Sequence, residues 1–212
     1  MFSIGVDLGQ RQDYSAVAVV ERMEQKLHSF DHLHWMLREE ATAEEWVVRH
    51  LERMPLGTAY TAVTTRVVAL AQSPALRGDC RLVVDATGVG MPVVDMLREA
   101  RPGCEMAAVS ITGGQGQRFD GKVWHVPKLD LLARLQGLLE QKRLRIARGM
   151  RESGTLVREL TDMRSTRRAS GRLRVGADGA GQHDDLALAV ALAVWMGRKG
   201  KIGEQRRRLP GI

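Results

Sequence analysis

Four aspartates from distant parts of a 212-residue chain carry the strongest chemical signal: Asp7, Asp85 and the adjacent pair Asp184 and Asp185. Asp7 interrupts an apolar run at residues 3–9 (SIGVDLG), where an unpaired carboxylate is costly to bury. Asp85 ends the apolar run RLVVD, directly before a glycine-containing turn (ATGVG). Asp184 and Asp185 open the most hydrophobic stretch of the chain (DDLALAVALAVWM), where an acid also has an ordinary place at a helix N-terminus. Singly, each has a structural explanation. Asp7 can pair with a buried arginine, Asp85 can bond turn amides, and Asp184 can cap a helix. Together they form a set of like charges that stays ionised at close range only with a cation, and hard oxygen donors select Mg2+ or Mn2+. Two such ions about 4 Å apart activate water and stabilise both the attacking and the leaving oxygen of an in-line displacement, the chemistry of phosphodiester hydrolysis.

The elements that must position these acids follow from periodicity. Residues 3–9 and 14–21 read as two β-branched, apolar strands joined by a polar turn at 10–13. Asp13 in that turn either sits near the site or, as the favoured reading, stabilises the turn. Residues 22–44 fit either an irregular strand or a helix and stay open. A third strand is expected at 46–53 (WVVRHLER) and a helix at 61–72. The run 81–85 has the uniformly apolar character of a strand buried on both faces of a parallel sheet, and ligands gather at the carboxyl ends of such strands. A helix at 91–100, a strand at 105–111, a glycine-rich loop at 112–122 and a helix at 128–142 continue a βαβα alternation. Residues 151–163 read as a helix, 165–175 as a basic hairpin, and 184–196 as a helix packed nearly all round.

Net charge is +7, but it is unevenly placed. Residues 141–174 hold eleven Lys/Arg against three Asp/Glu, and 198–208 hold six against one, leaving the rest of the chain at net −6. Two basic segments near the C-terminus suit a polyanionic partner, although a solvated face and a solubilising tail explain the charge equally well. One domain over 1–197 and a basic tail over 198–212 are expected. Cys80 and Cys104 have neither metal-ligand spacing nor a disulfide-rich context and read as buried thiols. No apolar run reaches the roughly 18 residues of a membrane span, so a cytoplasmic location without membrane contact is expected, host-cell cytoplasm if the source is viral.

Three ordered motifs then resemble a known family. GVDLG followed by DYSA, VDATGVG followed by VVDML, and HDDLALA at residues 183–189 look like the nuclease domain of phage terminase large subunits. The resemblance spans nearly the whole chain, and its most specific part is His-Asp-Asp opening an alanine-rich helix. It implies an α/β, RNase H-like fold: a mixed β-sheet flanked by helices, with an added basic β-hairpin. It also implies a Mg2+- or Mn2+-dependent endodeoxyribonuclease with two ions held by Asp7, Asp85 and one or both of Asp184 and Asp185. Adjacent helical residues point about 100° apart, so the pair is expected to divide between the metals and a cap. His183 is open between orienting water, touching the scissile phosphate and capping.

By the same resemblance Arg164, Arg167, Arg168, Arg172 and Arg174 on the hairpin are the expected contacts to double-stranded DNA; Lys122 joins them from the composition of its glycine-rich loop, which reads equally as a loop that moves over the substrate and as an undistinguished flexible one. Few aromatics accompany them, so phosphate contacts should dominate over base stacking. No Gly-x-x-x-x-Gly-Lys-Ser/Thr loop is present. A separate ATPase motor, a small terminase subunit or a portal are therefore the expected partners. The competing readings are a Holliday-junction-resolvase-like nuclease, a catalytically silent DNA-binding packaging module, and an actin/Hsp70-like ATPase. The last of these needs a duplicated fold larger than this chain.

Overall fold

The computed structural model describes residues 1–9, 13–31, 36–88, 90–162, 164–167, 173–176 and 183–199; for 25–31, 36–43, 164–167 and 173–176 it describes the backbone alone. The central strand is β1 (Phe2–Asp7), and its alternation sets the layers. Ile4 and Val6 point into one apolar core, while Ser3, Gly5 and Asp7 take the opposite face, because successive strand side chains alternate. On one side β1 pairs antiparallel with β2 (Ala16–Asp31), which pairs antiparallel with β3 (Met36–Arg53). On the other side β1 pairs parallel with β4 (Cys80–Asp85), reached through the helix α1 (Tyr60–Ala71). The helix α2 (Gly90–Glu99) then leads to β5 (Glu105–Thr112), parallel to β4.

Beyond β5 come β6 (Arg118–Phe119) and β7 (Trp124–Pro127), then the helix α3 (Lys128–Glu140), β8 (Leu144–Ile146) and the helix α4 (Ser153–Asp162). Two short strands, β9 (Arg164–Arg167) and β10 (Leu173–Gly176), pair antiparallel apart from the main sheet, and the helix α5 (Asp185–Arg198) follows. The main sheet has eight strands in the order β6-β7-β5-β4-β1-β2-β3-β8. It is mixed, as expected. No described helix is long and apolar enough to cross a membrane.

Helices cover both faces. The side chains of α1 and α2 join Ile4, Val6, Leu82 and Val84 in one core, and those of α3, α4 and α5 join Ala18, Trp46, Val83 and Val109 in the other. α5 is buried from Asp185 to Gly197, which fits its nearly all-apolar sequence. Its alanines let it lie directly on the sheet backbone. A Cβ built on Gly5 would stand 2.0 Å from the carbonyl oxygen of Ala189, so β1 can only be glycine at this crossing. Near the other end of α5, Gly197 makes the same kind of room for the Trp46 ring.

Several elements differ from the sequence reading. Of the open region, 22–31 and 36–44 belong to a long ribbon: beyond Arg22 and Trp46, β2 and β3 pair only with each other among the described residues, out to Asp31 opposite Met36. Register shifts at Val19/Val20 and Leu27/His28 explain why strict alternation was not legible there. The expected glycine-rich loop contains β6, paired with β7, and neither β7 nor β8 was anticipated, since strands of two to four residues are too short to express a period. The basic segment read as a hairpin is described only as the paired backbones of β9 and β10. Its turn lies outside the described residues. Of the expected tail, Arg198 ends α5 and Lys199 is anchored, its ammonium 3.8 Å from the Trp124 ring centroid, while 200–212 lie outside the described residues.

Candidate metal centre

Val6 lies opposite Val84 in the parallel β1/β4 pair, so the next residues, Asp7 and Asp85, leave neighbouring strands side by side at their carboxyl ends. Period-two alternation sends both toward the face covered by α5, since Gly5 and Val83, two residues earlier, lie there. Asp85 Oδ1 accepts the Thr87 amide at 2.8 Å and the Thr87 hydroxyl, whose oxygen accepts the Ile111 amide at 2.8 Å. The turn-amide role anticipated for Asp85 is thus real and does not compete with clustering, because the Asp85 carboxyl also lies close enough to Asp7 to perturb its ionisation.

The two aspartates of α5 divide. Asp184 stands at the N-cap position, yet its side chain makes no capping bond. It is drawn instead to Lys128, whose Nζ donates to Asp184 Oδ2 at 2.6 Å. Asp185 is 5% exposed and turns the other way: Oδ2 lies 3.9 Å from His183 Nδ1 and 3.5 Å from Arg53. His183 Nδ1 is also 4.0 Å from Asp13, and its ring meets Tyr14 edge-on at 5.1 Å. Asp13, His183 and Asp185 each present a ligand atom within 4.8 Å of one another.

The electrostatics match a cation site. Burial pushes the Asp7 carboxyl well above its usual range, and the charges of Asp85, Asp185 and Asp184 push it further. Burial also raises Asp85, opposed by hydrogen bonds from Thr87 and by the nearby Lys128 charge. Asp185 is pushed up to about 6, mainly by burial and against the attraction of Arg53. Asp185 Oδ2 is buried without accepting a hydrogen bond, an expensive state for a carboxylate oxygen unless a cation takes it. A set of carboxylates with one imidazole, partly unsatisfied and mutually repelling, fits Mg2+ or Mn2+.

A pH dependence follows. Asp185 and Glu159, the latter pushed up to about 7 chiefly by burial, hold protons in the folded chain that the unfolded chain releases near pH 4. Their contribution to stability is therefore full below pH 4 and is lost as pH rises through 6 to 7. Metal-free protein should melt about 5 °C lower at pH 8 than at pH 5.5, and Mg2+ should recover the loss at pH 8. Calorimetry in the presence of EDTA checks this, and a melting temperature that climbs over the same interval would contradict it.

The structure brings together Asp7, Asp85, Asp184, Asp185 and His183, all anticipated. It adds Lys128 and Arg53, which the sequence reading passed over, and it favours the less expected of the two readings of Asp13, a place near the site. Asp13 reaches His183. Lys128 was legible in principle, because a lysine in the first turn of a helix opposes the helix dipole and so signals another role. Arg53, the last residue of β3, contacts both Asp185 and Glu159. Lys122 precedes β7, whereas Lys128 follows it, so Lys122 sits at the far end of that strand from the acids. Arg164, Arg167 and Arg174 lie on β9 and β10, with no side-chain description; Arg168 and Arg172 lie outside the described residues.

Comparison with known proteins identifies the family and the fold. The family model of the terminase RNaseH-like domain matches residues 4–196. The fold is similar to the large terminase nuclease from thermophilic phage G20c, at 24% identity and a TM-score of 0.61 over 92% of this chain and 81% of that one. The G20c nuclease with bound magnesium matches at 25% identity and 0.62, over 91% and 79%. A mutant nuclease domain of the bacterial virus Sf6 large terminase subunit with manganese matches at 14% and 0.58, over 91% and 87%. No curated protein sequence matches the chain. With the family match running from β1 into the last turn of α5, the chain belongs to the family of terminase RNase H-like domains.

Proposed function

We propose that this domain is a Mg2+- or Mn2+-dependent endodeoxyribonuclease that cuts double-stranded DNA during viral genome packaging. The observation that carries the reading is the convergence of Asp7, Asp85, Asp184 and Asp185 at one end of the sheet in a member of the terminase family. Nuclease relatives of the same fold have been seen with magnesium and with manganese.

Asp7, Asp85 and Asp184 would hold one ion, and Asp185 with Asp13 and His183 the other. Ions bound there would lower the pKa of a water and stabilise charge on the scissile phosphate. Lys128 fixes Asp184 away from its own helix and keeps a positive charge beside the acids. The Tyr14 ring edge and the carboxylates of Asp13 and Asp185 orient His183, which presents Nδ1 as the one nitrogen donor of the set.

Duplex DNA would be held mainly through its phosphates, with Arg164, Arg167, Arg168, Arg172, Arg174 and Lys122 as contacts. Replacing Arg167 and Arg168 by alanine should weaken duplex binding and reduce the slope of log affinity against log salt by about 2. Titrations at several salt concentrations check this, and an unchanged slope removes the two arginines from the interface. Translocation would fall to an ATPase motor elsewhere, with a small terminase subunit or portal as further partners, in the host-cell cytoplasm. The deciding experiment incubates the protein with supercoiled plasmid and Mg2+, Mn2+ or EDTA. Nicking in both metals and none in EDTA is expected; no nicking in either metal ends the nuclease reading. A strong preference for four-way junctions over linear duplex would make it resolvase-like instead.

A further inference from the structure

The N-terminus of α5 has an unusual solution to an ordinary problem. The first amides of a helix have no partner within it, and the residue at the N-cap position normally supplies one from its side chain. Asp184 holds that position but gives its carboxylate to Lys128. Asp185, next in line, points Oδ2 toward His183 and Arg53. The Ala187 amide, third in the helix, is instead taken by Glu159 of α4, whose Oε2 accepts it at 2.9 Å.

Glu159 is 7% exposed and has both oxygens engaged. Oε2 takes the Ala187 amide, and Oε1 takes the Arg53 guanidinium. Arg53 in turn lies 4.7 Å over the Tyr14 ring and 3.5 Å from Asp185 Oδ2, so a single side chain touches Glu159, Asp185 and the ring that packs on His183. An acid with both oxygens occupied is not itself free to ligate a cation.

We propose that Glu159 and Arg53 are positioning residues for the metal centre. Glu159 caps α5 from another helix, which releases both Asp184 and Asp185 from capping. Arg53 bonds Glu159, neutralising it once it ionises above about pH 7, and aims the inner aspartate at Asp13 and His183. Residues that hold metal ligands in place without touching the metal commonly tune affinity by about 10–100-fold. The inference rests on the cation reading of the aspartate cluster.

Two conservative substitutions separate positioning from charge. Glu159→Gln keeps the reach and the oxygen for Ala187 but loses the charge. Glu159→Asp keeps the charge and loses the reach. Mn2+ binding to nuclease without DNA, followed by the loss of the free-ion electron paramagnetic resonance signal, is the readout, with thermal melts confirming that each variant is folded. Wild type should bind, Glu159→Gln should stay within about threefold of it, and Glu159→Asp should bind about tenfold more weakly. Equal affinity for all three, or weak binding by Glu159→Gln with full binding by Glu159→Asp, overturns the proposal. Asp7→Asn is the separate control: if it binds Mn2+ as well as wild type does, the cation reading itself fails and the proposal with it.

Discussion

Asp7→Asn should lower metal-dependent plasmid nicking on the order of 10³-fold while leaving the protein folded. Asparagine has the same shape, so the crossing of β1 with α5 is undisturbed. It lacks the charge that makes Asp7 the centre of the cluster, where Asp85, Asp185, Asp184 and Lys128 all act on it. A second consequence has the opposite sign. Burial and like charge disfavour ionised Asp7, so the substitution should raise the melting temperature of metal-free protein at pH 8, even as it removes the stabilisation that Mg2+ gives wild type. A purely structural aspartate would behave in reverse, with the substitution costing stability and leaving metal dependence alone. Nicking rates and melting curves from the same preparations, with and without Mg2+, decide between the two. Wild-type nicking by Asp7→Asn would end the assignment.

Gly5→Ala should disturb the fold strongly although it adds a single methyl group. The new Cβ would stand 2.0 Å from the Ala189 carbonyl oxygen and 2.8 Å from the Ala193 nitrogen, both main-chain atoms of α5. Neither can rotate away, so the helix must move. Overpacking of this kind costs about 3 kcal/mol, which for a chain of this size lowers the melting temperature by roughly 6–12 °C. The shift should also reach the site, because Ala189 is one turn beyond Asp185 on the same helix. Mn2+ binding is expected to weaken along with stability. Gly137→Ala supplies the contrast: that glycine is in α3 with nothing within 4 Å of its Cβ position, so alanine there should stabilise by about 0.5–1 kcal/mol. A Gly5→Ala protein that melts with wild type would mean that α5 does not lie on β1 as described.

These two positions also mark what could be read before the fold was known. Asp7, Asp85, Asp184 and Asp185 stood out because each is a charge on an element whose other residues are apolar, and that contrast is local. The strands β1, β4 and β5 and the helices α1 to α5 were legible for the same reason, within a few residues at their ends. Gly5 was not, since only the helix arriving from 180 residues further along makes its missing side chain matter.

The division of labour within the cluster was likewise invisible. Sequence determined that Asp184 and Asp185 sit together at a helix start and must point in different directions. The tertiary structure decided where: Lys128 from the start of α3 draws Asp184 to one side, while Arg53 from the end of β3 and Glu159 from α4 frame Asp185 on the other. Local patterns report whether a residue is buried and on what kind of element. They carry no information on which distant charge arrives beside it, and it is those arrivals, acting over a few ångströms in a poorly solvated site, that fix which acid caps, which pairs and which is left for a cation.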